Sequence, residues 1–389
     1  MISFENTTVA FAGKNNSELK QAYWLFKLVS NARLVKFGKV ATNAAISLKL
    51  PIKGLVKKTI FKQFCGGETI AECSRAITYL GAHNIGAILD YSIEGKHQIE
   101  DLDDTALEII KTIEAASIDK HIPFAVFKLT GVTTFGLLKS WSDNSLTEQD
   151  LPRKERALKR VTSICAKAHE LNVPVFIDAE ESWIQPAIDE IALTLMRKYN
   201  TEKAIVYNTV QLYQVNQLDY IKRLLELAKR ENFKLGLKLV RGAYMEKERS
   251  RAEQKGYPSP IQLNKADTDS DFNLALDFCL QNIDQIAICA GTHNEQSSIK
   301  QIELMTRYEI SKNDNRVYFA QLYGMSDHIS FNLADQGYNV AKYLPYGPIE
   351  EVLPYLIRRA EENTSAKGQT GRELGLINQE LARRKKAKK

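Results

Sequence analysis

Val173-Pro174-Val175-Phe176-Ile177-Asp178-Ala179, Ala204-Ile205-Val206-Tyr207-Asn208-Thr209-Val210-Gln211-Leu212 and Lys234-Leu235-Gly236-Leu237-Lys238-Leu239-Val240 are three short, largely apolar runs, and an amphipathic segment of helical length, 218–231, joins the last two. The rhythm continues in both directions. Runs of the same kind stand at 86–93, 124–131, 285–290, 317–322 and 340–344, with further helical patterns at 155–171 and 271–283. Alternating β and α units imply a parallel sheet, and eight of them predict an α/β protein with a closed (β/α)8 TIM-type barrel. A doubly wound open sheet is the alternative. Neither the Gly-x-Gly-x-x-Gly turn nor a phosphate loop ending in Gly-Lys-Ser/Thr is present to support it.

The chain divides into an N-terminal helical extension over 1–65, a barrel over 66–370 and a basic tail over 371–389. Within the extension, 19–34 has helical apolar spacing and 49–62 is rich in lysine. The tail ends Arg383-Arg384-Lys385-Lys386-Ala387-Lys388-Lys389, a composition that reads as solvated, disordered chain or as an electrostatic tether to an anionic membrane surface. A content of 44% hydrophobic and 26% charged residues is ordinary for a globular protein. No apolar run is long enough to span a bilayer, and Met1 opens no signal-peptide layout. Five cysteines without close pairing read as reduced thiols in a cytosol-like compartment. Basic and aromatic residues do not interleave along one element, which argues against nucleic acid as a partner.

In a barrel, function gathers where strands meet their following loops. Those positions hold Lys128, Asp178 with Glu180 and Glu181, Gln211, Lys238 with Arg241, Thr292-His293-Asn294, Gln321 and Tyr343. After the last run comes Pro354-Tyr355-Leu356-Ile357-Arg358-Arg359-Ala360-Glu361-Glu362-Asn363. Proline is tolerated in the first turn of a helix, so the helix is expected to begin at Pro354. Tyr355, Arg358, Arg359 and Glu362 then share one face, and two guanidinium forks beside a phenol ring suit a carboxylate. An ordinary solvated face with an Arg358–Glu362 pair is the plainer reading of the same spacing.

Several stretches resemble the proline dehydrogenase family of flavin enzymes. They are Phe176-Ile177-Asp178-Ala179-Glu180-Glu181, Lys238-Leu239-Val240-Arg241-Gly242-Ala243-Tyr244, Thr292-His293-Asn294, Gln321-Leu322-Tyr323-Gly324-Met325, and the segment from Tyr343 through Asn363. Together they span about 85–365. The resemblance implies a distorted barrel that holds FAD non-covalently and oxidises L-proline to Δ1-pyrroline-5-carboxylate by hydride transfer from C5 to flavin N5. It casts Arg358, Arg359 and Lys128 as holding the substrate carboxylate, and Leu322, Tyr343 and Tyr355 as lining the ring pocket. Asp178 matches the aspartate placed near the chemistry, and Lys238 the cation beside N5. For FAD the matching positions are Ala179, Gln211, Lys238, Arg241, Gly242, Ala243, Thr292 and His293, with Thr268 in a looser match after Lys265. Many bacterial members carry arginine where Lys238 stands, so lysine resembles the eukaryotic variant and loses the planar fork. Tyrosine at 343 favours proline, because relatives preferring 4-hydroxyproline carry a small residue there. The resemblance further implies a membrane quinone as electron acceptor, reached by peripheral association from the cytoplasm, and a separate pyrroline-5-carboxylate dehydrogenase for the next step.

The residues suit that chemistry. An amine must be neutral to release hydride from the adjacent carbon, and three nearby cations disfavour an ammonium. Asp178 also reads as a structural acceptor for Lys128 or Arg358, and His293 as a satisfied core histidine. Two other classes fit a polar barrel mouth: an aldolase using Lys128 or Lys238 as a Schiff-base amine, and a non-catalytic binding barrel. Six scattered histidines with no His-x-His pair argue against metal hydrolysis.

Overall fold

In the computed structural model, residues 2–31, 33–35, 53–92, 99–365 and 367–387 are described, with the backbone alone for 53, 55, 99 and 361–370. Eight parallel strands close on themselves in sequence order: β1 (Ile85–Tyr91), β2 (Phe124–Lys128), β3 (Val175–Asp178), β4 (Val206–Gln211), β5 (Leu235–Val240), β6 (Ile286–Gly291), β7 (Val317–Leu322) and β8 (Val340–Tyr346). Each was legible as an apolar run because a barrel strand is covered on both faces. The second run ends early: Leu129–Val132 forms one helical turn after Lys128 instead of extending β2.

Alternation sorts the strand residues into two cores. Outward side chains such as Leu89, Ile177, Val210, Leu237 and Leu239 meet the surrounding helices, among them Ile99–Ile118, Leu151–Glu170, Gln185–Tyr199 and Gln217–Glu231. Inward ones form a smaller cluster of Ile88, Phe124, Val126, Phe176, Tyr207 and Cys289. Phe124 stacks on Phe176 with ring centroids 4.4 Å apart, and Tyr207 meets both rings edge-on. This aromatic floor fills the lower barrel, so open space remains only towards the C-terminal ends of the strands.

The helix after β8 departs from the regular pattern. It runs Ile349–Ser365, so it starts ahead of Pro354 and holds that proline inside. Proline removes one hydrogen bond near the helix start, at a cost of about 3 kcal/mol. Buried Ile349, Val352 and Leu353 offset that cost by packing, and they pack with Leu19, Phe26, Phe61, Phe64 and Ile377 rather than with the main core. The helix therefore lies against the N-terminal extension, and its Arg358 and Arg359 line the barrel mouth. Against β1 the outer ring is completed instead by Ile70–Gly81.

The basic tail is not loose chain. It continues the helix Lys367–Lys386, where Arg383 and Arg384 both pair with the fully buried Glu380. Glu380 also accepts from Thr7 at 2.9 Å, and Arg384 donates to the carbonyls of Phe11 (2.8 Å) and Lys14 (2.6 Å). Helix propensity alone does not hold such a segment; its buried Leu376 and Ile377 do, by packing on the extension. A second tie runs through Asp327, whose carboxylate accepts from Lys14 at 2.6 Å and from the fully buried Lys342 of β8 at 2.8 Å. Part of the lysine-rich stretch (49–52), the Glu362 side chain and Lys388–Lys389 lie outside the described residues.

Candidate active site

Above the aromatic floor is a cavity of about 1000 Å³, at the upper end of what small-molecule sites occupy. Every strand contributes a residue to its wall: Asp90, Lys128, Asp178, Gln211, Lys238, Gly291, Leu322 and Tyr343. The period-2 alternation of each strand puts these positions on the inner face, at the end where the chain turns outward.

At its centre Lys238 is buried and donates to Asp178 Oδ1 and to the Tyr343 phenol oxygen, the latter at 2.6 Å. Tyr343 in turn donates to Asp178 Oδ1 at 3.3 Å. Asp178 thus pairs with Lys238, two strands away. Lys128 and Asp178 are opposite each other in the β2–β3 register. The Tyr343 ring lies parallel to Phe176 at 6.3 Å with 6° between planes, and the Lys238 ammonium stands 4.6 Å from its centroid. Burial holds the Tyr343 hydroxyl well above the usual phenol range, so it stays protonated.

Asp90, on β1, faces the same space and is buried. Burial raises its carboxyl above the usual range, against the opposing pull of Lys128. The run 86–93 overshoots β1, and that hid Asp90 as a strand-end residue.

On the mouth side, Tyr355, Arg358 and Arg359 all line the cavity, with Tyr355 and Arg359 buried. The Arg359 guanidinium lies 5.0 Å from the Tyr355 ring centroid. Two guanidiniums, Lys128 and an apolar wall that includes Leu322 gather beside the Lys238–Tyr343 pair, a charge pattern suited to an anion.

The cavity extends from there past β5 and β6. Arg241 donates to Asp269 (2.7 Å), Thr292 (2.7 Å) and Ser297 (2.9 Å), which commits three of its five N–H groups and leaves the others for a ligand. Gly242 sits at φ +136°, where a Cβ would strike the Tyr213 ring at 2.4 Å, so the backbone there is bare by necessity. Gln211, anchored through its amide to the Glu180 carbonyl at 2.7 Å, and Ala179, Ala243 and Thr292 complete this wall. His293 contacts the Ser326 hydroxyl at 2.9 Å; burial and then the Lys342 and Arg359 cations lower its pKa to about 3, so the imidazole is neutral. It is both a satisfied, partly buried histidine and a lining residue. Such a trough, cationic at intervals and with bare backbone, fits an elongated phosphate-bearing cofactor of dinucleotide type.

Of the residues matched to substrate or cofactor, Thr268 alone is not brought to the cavity, and the strand-end Glu180 and Glu181 do not line it either. Thr268 is buried in the fourth position of the helix Lys265–Gln281 and turns back to the Asn264 carbonyl, while Lys265, one turn earlier, lines the wall instead. Tyr244, which closes the Lys238–Tyr244 motif without a role of its own, also lines it, as do His328 and Arg372, which no motif marked. Arg372 lies in the segment read as tail, and His328 in the helix Asp327–Asp335 after β7. Among the described residues no three His, Cys, Asp or Glu side chains could jointly hold a metal ion.

A family model described as proline dehydrogenase matches residues 73–372. A mitochondrial proline dehydrogenase 1 of Dictyostelium discoideum is 33% identical over 97% of this chain and 74% of its own. The carbapenem antibiotics biosynthesis protein CarD of Pectobacterium carotovorum is 34% identical over 82% and 83%. Among solved structures, proline utilization A of Bdellovibrio bacteriovorus inactivated by N-propargylglycine superposes with TM-score 0.72 at 21% identity. It shares the fold over 92% of this chain, which spans 38% of its length.

Proposed function

Because this chain belongs to the proline dehydrogenase family, we propose that it oxidises L-proline to Δ1-pyrroline-5-carboxylate with FAD bound in the trough described above. FAD supplies the hydride acceptor; the protein supplies binding, orientation and charge. The residues present suit it: Arg241 and the bare Gly242 backbone for the diphosphate, Ala179, Gln211, Ala243, Thr292 and His293 along its length, and Lys238 at the redox end. Lys265 lines the same cavity, where Thr268 does not, and suits a phosphate by its charge.

The observation that carries the reading is the placement of Arg358 and Arg359 across the mouth, in one cavity with Lys128, Lys238 and Tyr343. The guanidiniums and Lys128 hold the carboxylate of the imino acid. Tyr343, Leu322 and Tyr355 enclose its ring. The same cations disfavour an ammonium beside them, which favours the neutral amine whose lone pair drives hydride release. Lys238, fixed by Asp178 and Tyr343, places positive charge where the reduced cofactor carries negative charge.

Electrons then pass to a quinone, by peripheral contact of a cytoplasmic protein with a membrane, and a separate pyrroline-5-carboxylate dehydrogenase takes the product; both steps rest on the family. No helix among the described residues is long and apolar enough to cross a membrane. The test is direct: the purified protein is denatured and the released chromophore identified. FAD is the expected result; a colourless protein, as an aldolase using Lys128 or Lys238 would be, overturns the assignment.

A further inference from the structure

One cation of the cavity wall comes from outside the barrel. Arg372, on the C-terminal helix Lys367–Lys386, reaches the trough at the Asn294–Gln296 segment, next to the stretch on which Arg241 is anchored. Its Nε and Nη2 grip the two oxygens of Glu295 at 2.8 and 3.2 Å. Nη2 also donates to Glu5 of the N-terminal extension. These bonds leave both Nη1 hydrogens without an acceptor among the described residues. A guanidinium held on two sides by carboxylates is fixed in direction, and its unspent edge is what remains for a ligand.

The surroundings hold Arg372 in place. His328 contacts Glu295 Oε1 at 3.1 Å, and the His328 and Arg372 bonds together hold the Glu295 carboxyl down to about 2. The next residue, Glu373, is buried and accepts from the Ser326 amide, whose backbone is in the left-handed region at φ 51°. Ser326 in turn contacts His293. A strained residue persists only where its neighbours over-determine it. Helix, loop and imidazole are therefore one connected unit on this side of the trough.

We infer that Arg372 binds the phosphate-bearing part of the cofactor, so that the C-terminal helix closes the trough and the N-terminal extension, through Glu5, holds that closure in place. The inference rests on the FAD reading and adds a residue to it. Arg241 and Arg372 approach the Asn294-capped start of the helix Glu295–Arg307 from two elements, β5's loop and the C-terminal helix. A diphosphate between them meets two guanidinium edges and a helix N-terminus.

The experiment compares wild type, Arg372→Met and Arg372→Lys as full chains. Each is loaded with FAD and, separately, with riboflavin, which has the ring system and no phosphate. Release is followed by the recovery of free flavin fluorescence. FAD should leave Arg372→Met about tenfold faster than wild type, the loss of one charge-assisted bond, and Arg372→Lys at an intermediate rate, while riboflavin release is unchanged. The rise in Tm on adding FAD to the apoprotein should also shrink in Arg372→Met; a purely structural arginine would lower apo and holo Tm together and leave the difference intact. Equal FAD release from wild type and both variants, or equal acceleration for FAD and riboflavin, overturns the inference while the FAD reading stands. A wild type that retains no FAD overturns the reading on which it rests. Glu5→Gln, at an exposed side chain, covers the case in which Arg372→Met does not fold: it should speed FAD release in the same direction, and an unchanged rate removes the role given to Glu5.

Discussion

Lys238 Nζ lies 2.6 Å from the Tyr343 phenol oxygen, so that β5 and β8 are joined across the barrel axis directly above the aromatic floor. Asp178 completes the triangle from β3. A substrate-pocket ring is thereby tied to the cation assigned to the cofactor's redox end, and changes at either residue should be felt at both.

Tyr343→Ser removes a buried ring that stacks on Phe176 and opens space where a 4-substituent would sit. The ratio of kcat/KM for 4-hydroxyproline to that for proline should rise by roughly tenfold, a pocket effect of one to two kcal/mol. Steady-state kinetics with both substrates check it; an unchanged ratio would remove Tyr343 from specificity.

Lys238→Met takes the paired cation from Asp178, whose side chain is only 14% exposed. Breaking a buried pair by removing one partner costs on the order of 3 kcal/mol, so the midpoint of urea unfolding should fall. Lys238→Arg should recover most of that loss, since the charge returns. If Lys238→Met unfolds like wild type, Asp178 has another partner of equal weight.

Arg358→Met and Arg359→Met should each raise KM for proline on the order of 10–100-fold, the loss of a charge-assisted bond to the carboxylate. Flavin content, read from the visible spectrum, should stay near wild type, because Arg358 and Arg359 line the end of the cavity proposed for the substrate. A normal KM would refute that assignment.

Glu180 is buried, and its carboxylate accepts from the Thr130 amide at 3.0 Å and from the Thr130 hydroxyl. Burial outweighs these bonds and raises its pKa from 4.5 to about 7. A carboxyl with a raised folded pKa favours folding fully below its unfolded value, and that contribution is lost as pH rises through the folded value. Stability should therefore decline between about pH 4.5 and 7 by up to on the order of 3 kcal/mol. Glu180→Gln should flatten that part of the profile in chemical denaturation; the same slope in both proteins would assign it to other groups.

Most of the barrel was legible because each strand is apolar on both faces and each intervening helix has one apolar face. The site was legible through strand-end residues whose positions follow from the same alternation. The misreadings share a cause, which is packing that a local pattern does not encode. Pro354 reads as a helix start until Ile349, Val352 and Leu353 find partners in the N-terminal extension. The basic tail reads as solvated until Glu380, Leu376 and Ile377 bury against residues some 370 positions earlier, as in the Thr7–Glu380 bond (|i−j| = 373). Asp178 takes Lys238 as its partner because β3 and β5 both point inward at that level, a relation set by barrel closure and invisible in the linear order.

The most direct measurement is the visible spectrum of the purified protein under anaerobic conditions as L-proline is added. The account predicts that the flavin absorbance bleaches in proportion to proline, and that Arg359→Met needs far more proline for the same bleaching. A bound flavin that proline leaves oxidised, at any concentration, would contradict it.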